Sequence, residues 1–108
     1  MANSMSHTQS YLSEICGNIQ ISRDTYEFLS WVATVRTKDM VAVLQNKGDV
    51  DTIEKVFNTW IDLVSNHEKN PFRRSEMIED LRRLKVCMML NAGDGVERLF
   101  IRLLLGHR

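Results

Sequence analysis

Catalysis in a chain of 108 residues would have to come from histidines, cysteines, serines or glycine-rich turns at defined spacing. His7, His67 and His107 are scattered, and none stands four residues from another. A zinc site draws on clustered ligands such as C-x-x-C or H-E-x-x-H, and neither pattern is present. His67 falls where a helix is expected to end, a position that suits a cation. No G-x-S-x-G occurs, and Gly93-Asp94-Gly95 lacks the third glycine and the preceding strand of a phosphate-binding G-x-G-x-x-G. Cys16 and Cys87 are far apart and sit among apolar neighbours, Ile15 and Ile19 for one, Val86 and Met88 for the other. That setting predicts two reduced, buried thiols, which are poor nucleophiles. Free thiols in turn predict a cytoplasmic or nuclear location. No enzyme, metal or cofactor is expected.

The arginines offer more. Residues 72–108 carry eight basic and five acidic side chains, a formal +3, which leaves −3 for residues 1–71 of a chain with no net charge. Arg73, Arg74, Arg82, Arg83, Arg98 and Arg102 are therefore candidate nucleic-acid contacts, since a guanidinium suits bidentate phosphate binding. Glu79 precedes Arg82 and Arg83 by three and four residues and would neutralise part of the stripe. Only Phe72 and Phe100 lie among these arginines, so platforms for stacking single-stranded bases are not expected. Thr37 to Val64 has the outline of a helix-turn-helix. Its second helix, however, opens with Asp49, Asp51 and Glu54, the wrong charge to meet phosphates. What survives is sequence-independent binding of duplex RNA by shape.

These residues must be positioned by helices, because apolar side chains recur at helical spacing throughout. Ser6 and Gln9 have capping-box spacing for a helix over His7 to Asn18, with Tyr11, Leu12, Ile15 and Ile19 on one side. Ser22 caps a helix from Arg23 to Arg36, whose apolar face comprises Phe28, Leu29, Trp31, Val32 and Val35. Thr37 caps a short helix, Lys38 to Asn46, closed by Gly48. Asp51 and Glu54 open a longer one to His67, in which Ile53, Val56, Phe57, Trp60, Ile61, Leu63 and Val64 fall in an arc of about 160°. After Pro71 the pattern runs through Met77, Ile78, Leu81, Leu84 and Met88 to Leu90, with Asn70 or Ser75 as cap. Asn91 to Gly95 interrupts it, and Asp94 caps a last helix to Leu105. The expected fold is all-α, a compact bundle of five or six short helices in one domain. That domain spans 6–108, after a flexible N-terminus at 1–5.

Two stretches are more apolar than a monomeric core requires. Val86 to Leu90 is apolar at five successive positions, so it faces every direction around its helix. In the last helix Val96, Leu99, Phe100, Leu103 and Leu104 share an arc, while Ile101 and Leu105 fall on the far side. Val86, Met89, Leu90, Ile101 and Leu105 are thus the expected surface for a homodimer or for an unidentified protein partner.

Composition frames these expectations. At 44% hydrophobic and 26% charged residues the chain is globular rather than disordered. No apolar run is long enough to span a bilayer, the N-terminus has no secretory pattern, and Ala2 excludes N-myristoylation, so no membrane partner is expected. Size and helix count are shared with death-fold domains, and small viral accessory proteins often combine one helical domain with self-association, with no residue signature for either. The functional expectation is a non-enzymatic interaction module inside the cell, self-associating through its C-terminal helices.

Overall fold

Three of the described helices start where a polar side chain, in one case with a proline, satisfies or removes free amide groups of the first turn. The computed structural model describes residues 16–90 and 92–106. Ser22 caps α1 (Arg23–Val35) by accepting from the Thr25 amide. Asp49 caps α3 (Val50–His67), taking the Thr52 amide and hydroxyl; the cap therefore precedes the expected Asp51 by two residues. Asn70 caps α4 (Pro71–Met89), accepting from the amides of Phe72 and Arg73, with Pro71 at the first helical position where its missing N–H costs nothing.

Two expected caps are absent. Thr37 is the first residue of α2 (Thr37–Gln45), and its hydroxyl donates back to the Ala33 carbonyl of α1. Asp94 is the first residue of α5 (Asp94–Leu104), with Gly93 in the cap position. Gly48 does close the turn after α2, at φ 82°, a conformation that favours glycine. Residues 7–15 of the helix expected over 7–18 lie outside the described residues, together with its cap at Ser6 and the flexible segment expected at 1–5. Only Cys16 and Gly17 of that stretch are described as helical.

The connection of residues 68–70 returns α4 along α3, and these two helices form the most extensive pair. Ile53, Phe57, Trp60 and Val64 of α3 are buried, as their arc predicts, with Val56, Ile61 and Leu63 packed at its edges. Met77, Leu81, Leu84, Cys87 and Met88 of α4 face them, and α5 adds Val96, Phe100 and Leu103. The aromatic centre is Trp60, whose ring centroid lies 4.8 Å from Phe57 and 5.8 Å from Phe100. Its indole N–H donates to Asp39 at 3.4 Å, so its polar edge does not interrupt the core. The result is an all-α compact bundle, and no strand occurs among the described residues. No helix among them is long and apolar enough to cross a membrane.

Two findings correct the sequence reading. In α1 the buried residues are Thr25, Leu29, Val32 and Ala33, whereas Trp31 and Val35, expected on the core face, are exposed. The helix is rotated because Thr25 is drawn inward by a hydrogen bond to buried Asp80. The second correction concerns the cysteines. Cys16 and Cys87 are buried as expected, but they form a disulfide across a Cα separation of 5.6 Å. Segment 16–22 crosses back to α4 and brings the two residues together, a proximity that distance along the chain does not reveal. With the free thiols goes the argument for a cytoplasmic or nuclear location.

Candidate functional site

The C-terminal apolar residues divide by helix face. Cys87 and Met88 of α4 are buried, Met89 is half-buried against the core, and Val86 and Leu90 are exposed. On α5, Phe100 and Leu103 are buried, while Ile101 and Leu105 face solvent. Leu90 is 55% exposed and Leu105 67%, high values for leucines. Val86 and Leu90 are four residues apart, as are Ile101 and Leu105, so each pair forms a ridge one turn long. Of the five residues expected at an interface, four are exposed and Met89 is partly covered.

The six candidate arginines are less uniform. Arg73 pairs with Asp24 of α1 at 3.8 Å. Arg74 donates to the Glu68 carbonyl at 3.1 Å, tying the first turn of α4 to the end of α3. Arg83 bonds Asp80 and reaches the Gln20 carbonyl at 3.3 Å. These three are engaged in contacts within the fold. Arg82, Arg98 and Arg102 are exposed and make no ion pair or side-chain hydrogen bond among the described residues. Glu79 bonds neither Arg82 nor Arg83 there, so the neutralisation expected of it falls to Asp80 instead.

Among the described residues Asp80 is the most deeply buried charged side chain. One carboxylate oxygen accepts from the Thr25 hydroxyl at 2.7 Å and the Ser22 amide at 2.9 Å, while the other takes Arg83. A capping box ordinarily supplies a side chain from the third helical position to bond the cap amide. Here that position is Thr25, whose side chain is too short, and Asp80 supplies the acceptor from another helix. The carboxylate is consumed by this structural task.

Surfaces that sequence reasoning missed lie elsewhere. Phe28 and Trp31 of α1, with ring centroids 5.8 Å apart, border a pocket of about 340 Å³ closed by Leu63, Val64 and His67 of α3, Glu68, and Met77 of α4. Phe72 is 85% exposed at the start of α4. A second, larger and more open cleft of about 660 Å³ runs between residues 17–21, Tyr26 of α1, and Gly95, Arg98, Leu99 and Arg102 of α5. No signal in the sequence pairs segment 17–21 with α5, because the contact depends on the tether to α4. Among the described residues no group of three His, Cys, Asp or Glu side chains is placed to hold a metal ion. No family model, no curated protein and no solved structure matches this chain.

Proposed function

We propose that the chain is a non-enzymatic protein–protein interaction module that self-associates through α4 and α5. The observation that carries this reading is the pair of exposed apolar ridges, Val86 with Leu90 and Ile101 with Leu105. Fully burying such a side chain contributes about 1.5–3 kcal/mol. Because these four begin roughly half-covered, their removal from water in one protomer contributes about 3–6 kcal/mol. Counted on both protomers, that falls in the range needed to offset the entropy lost on association.

Sedimentation velocity across micromolar concentrations tests the reading. The expected result is a dimer that Ile101→Glu/Leu105→Glu converts to monomer without loss of helicity. A 12.5 kDa species throughout the range refutes self-association. A second reading, sequence-independent duplex-RNA binding, draws on Arg82, Arg98 and Arg102, which have no carboxylate partner among the described residues. It predicts an affinity that falls steeply with salt. Anisotropy with a generic RNA duplex tests it, and absence of binding at low salt retires it.

A further inference from the structure

Every other arginine with a described partner is occupied: Arg23, Arg36, Arg73 and Arg83 each meet a carboxylate, and Arg74 a carbonyl. Arg82 has no such partner among the described residues, and neither do Arg98 and Arg102. The latter two stand four residues apart on α5, so they project from adjacent turns, and both line the open cleft of about 660 Å³. Among the described residues no acidic side chain lines this cleft; the rest of its described lining is apolar or uncharged, with Ile19, Tyr26 and Leu99 contributing the apolar part.

The opposite wall is held from both ends. Cys16 is covalently bound to Cys87, and the far end is fixed by the Ser22 amide on Asp80 and by Arg83 on the Gln20 carbonyl. A wall anchored this way loses little freedom when something binds against it, which favours affinity.

We propose that this cleft binds a small organic phosphate, with the phosphate between Arg98 and Arg102 and an apolar or aromatic body against Ile19, Tyr26 and Leu99. Two guanidinium groups match a dianion better than a single carboxylate, and each can take two phosphate oxygens at once. The volume lies within the range of small-molecule sites, and the combination of apolar walls with a few charged groups is their usual chemistry. This site is independent of the apolar ridges, so it stands or falls apart from self-association.

The test is a calorimetric titration of the oxidised full chain with phenyl phosphate, inorganic phosphate and phenylacetate. Phenyl phosphate is expected to saturate one site per chain, and to bind about tenfold more tightly than either of the others. Arg98→Gln/Arg102→Gln should weaken phenyl phosphate about tenfold or more, because charge-assisted hydrogen bonds are lost at two exposed residues whose removal leaves the core intact. Arg82→Gln should leave the affinity within about twofold. Three results overturn the proposal: no saturation by phenyl phosphate at about millimolar concentration, equal binding of phenylacetate or inorganic phosphate, or an equal loss in Arg82→Gln. The last outcome would indicate diffuse attraction to a basic surface, as duplex-RNA binding would produce.

Discussion

Replacing Asp80 with alanine should be the most damaging single change to a charged residue, and its size follows from three hydrogen bonds. The Thr25 hydroxyl donates to Asp80, so Ser22 must donate its own hydroxyl proton to Thr25 across their 2.9 Å contact. The Ser22 oxygen meanwhile accepts the Thr25 amide at 3.1 Å. Donors thus run in one direction and end on the carboxylate. Alanine at position 80 leaves the Ser22 amide without an acceptor and turns the fully buried Thr25 hydroxyl back onto the Ser22 oxygen. Two bonds to a charged group, each worth about 1.5–3 kcal/mol, are thus lost, and one is replaced by a weaker neutral bond. Relief of the carboxylate's desolvation offsets part of this loss. Arg83, whose side chain is 45% exposed, simply returns to water. The net loss should be about 2–4 kcal/mol, which lowers Tm by about 10–25 °C in a domain of this size.

Asp80→Asn should cost only about 1–2 kcal/mol, because its single carbonyl can occupy the position that serves both Ser22 and Thr25. Urea denaturation of Asp80→Ala, Thr25→Val and the double variant measures the coupling, expected to exceed about 1 kcal/mol. Additive losses, within about 0.5 kcal/mol, would show that the chain of donors does not end on Asp80.

How much of this was legible in the residues depends on whether the cause is local. The arc of Ile53, Phe57, Trp60 and Val64 needs only helical spacing, and it is the buried face of α3. The caps at Ser22 and Asn70 and the turn at Gly48 are likewise settled within a few residues. Exposure of Ile101 and Leu105 follows from the same periodicity, since α5 has one strongly apolar face and these two lie off it. Apart from the caps expected at Thr37, Asp51 and Asp94, which miss by local geometry, the failures involve partners distant in sequence. Trp31 and Val35 face outward because Thr25 is pulled in by a carboxylate 55 residues away. Asp80, read as one more charge on a basic stripe, is buried because three donors converge on it from segment 20–25 and from Arg83. The arginine stripe divides for the same reason, its structural members being those that meet segment 20–24 or Glu68. Neither the disulfide nor the cleft beside it has a periodic signature, because both depend on where the chain crosses itself.

Oxidised protein, unfolded without reductant, should show no titratable thiol; two thiols per chain would refute the Cys16–Cys87 bridge. Closing a loop of 71 residues stabilises the fold by about 4 kcal/mol in the chain-entropy model, so reductant should lower Tm by about 15–30 °C. The same bridge sets the sign of a substitution at Gly95. A Cβ there would lie 2.9 Å from the Cys16 carbonyl oxygen and 3.1 Å from a side-chain carbon of Ile19. The first of these atoms is backbone next to a covalent anchor and cannot yield freely. In the oxidised protein Gly95→Ala should therefore cost about 1–3 kcal/mol of overpacking, outweighing the gain of about 0.5–1 kcal/mol from replacing glycine within a helix. Gly17→Ala, with no neighbour within 4 Å among the described residues, is the matched control. Once the bridge is reduced, residues 16–19 can retreat from α5 and only the helix gain remains. Gly95→Ala should then be neutral or stabilising relative to the reduced wild type. Equal destabilisation in both redox states, read by urea denaturation with and without reductant, would show that the bridge does not press this segment onto α5.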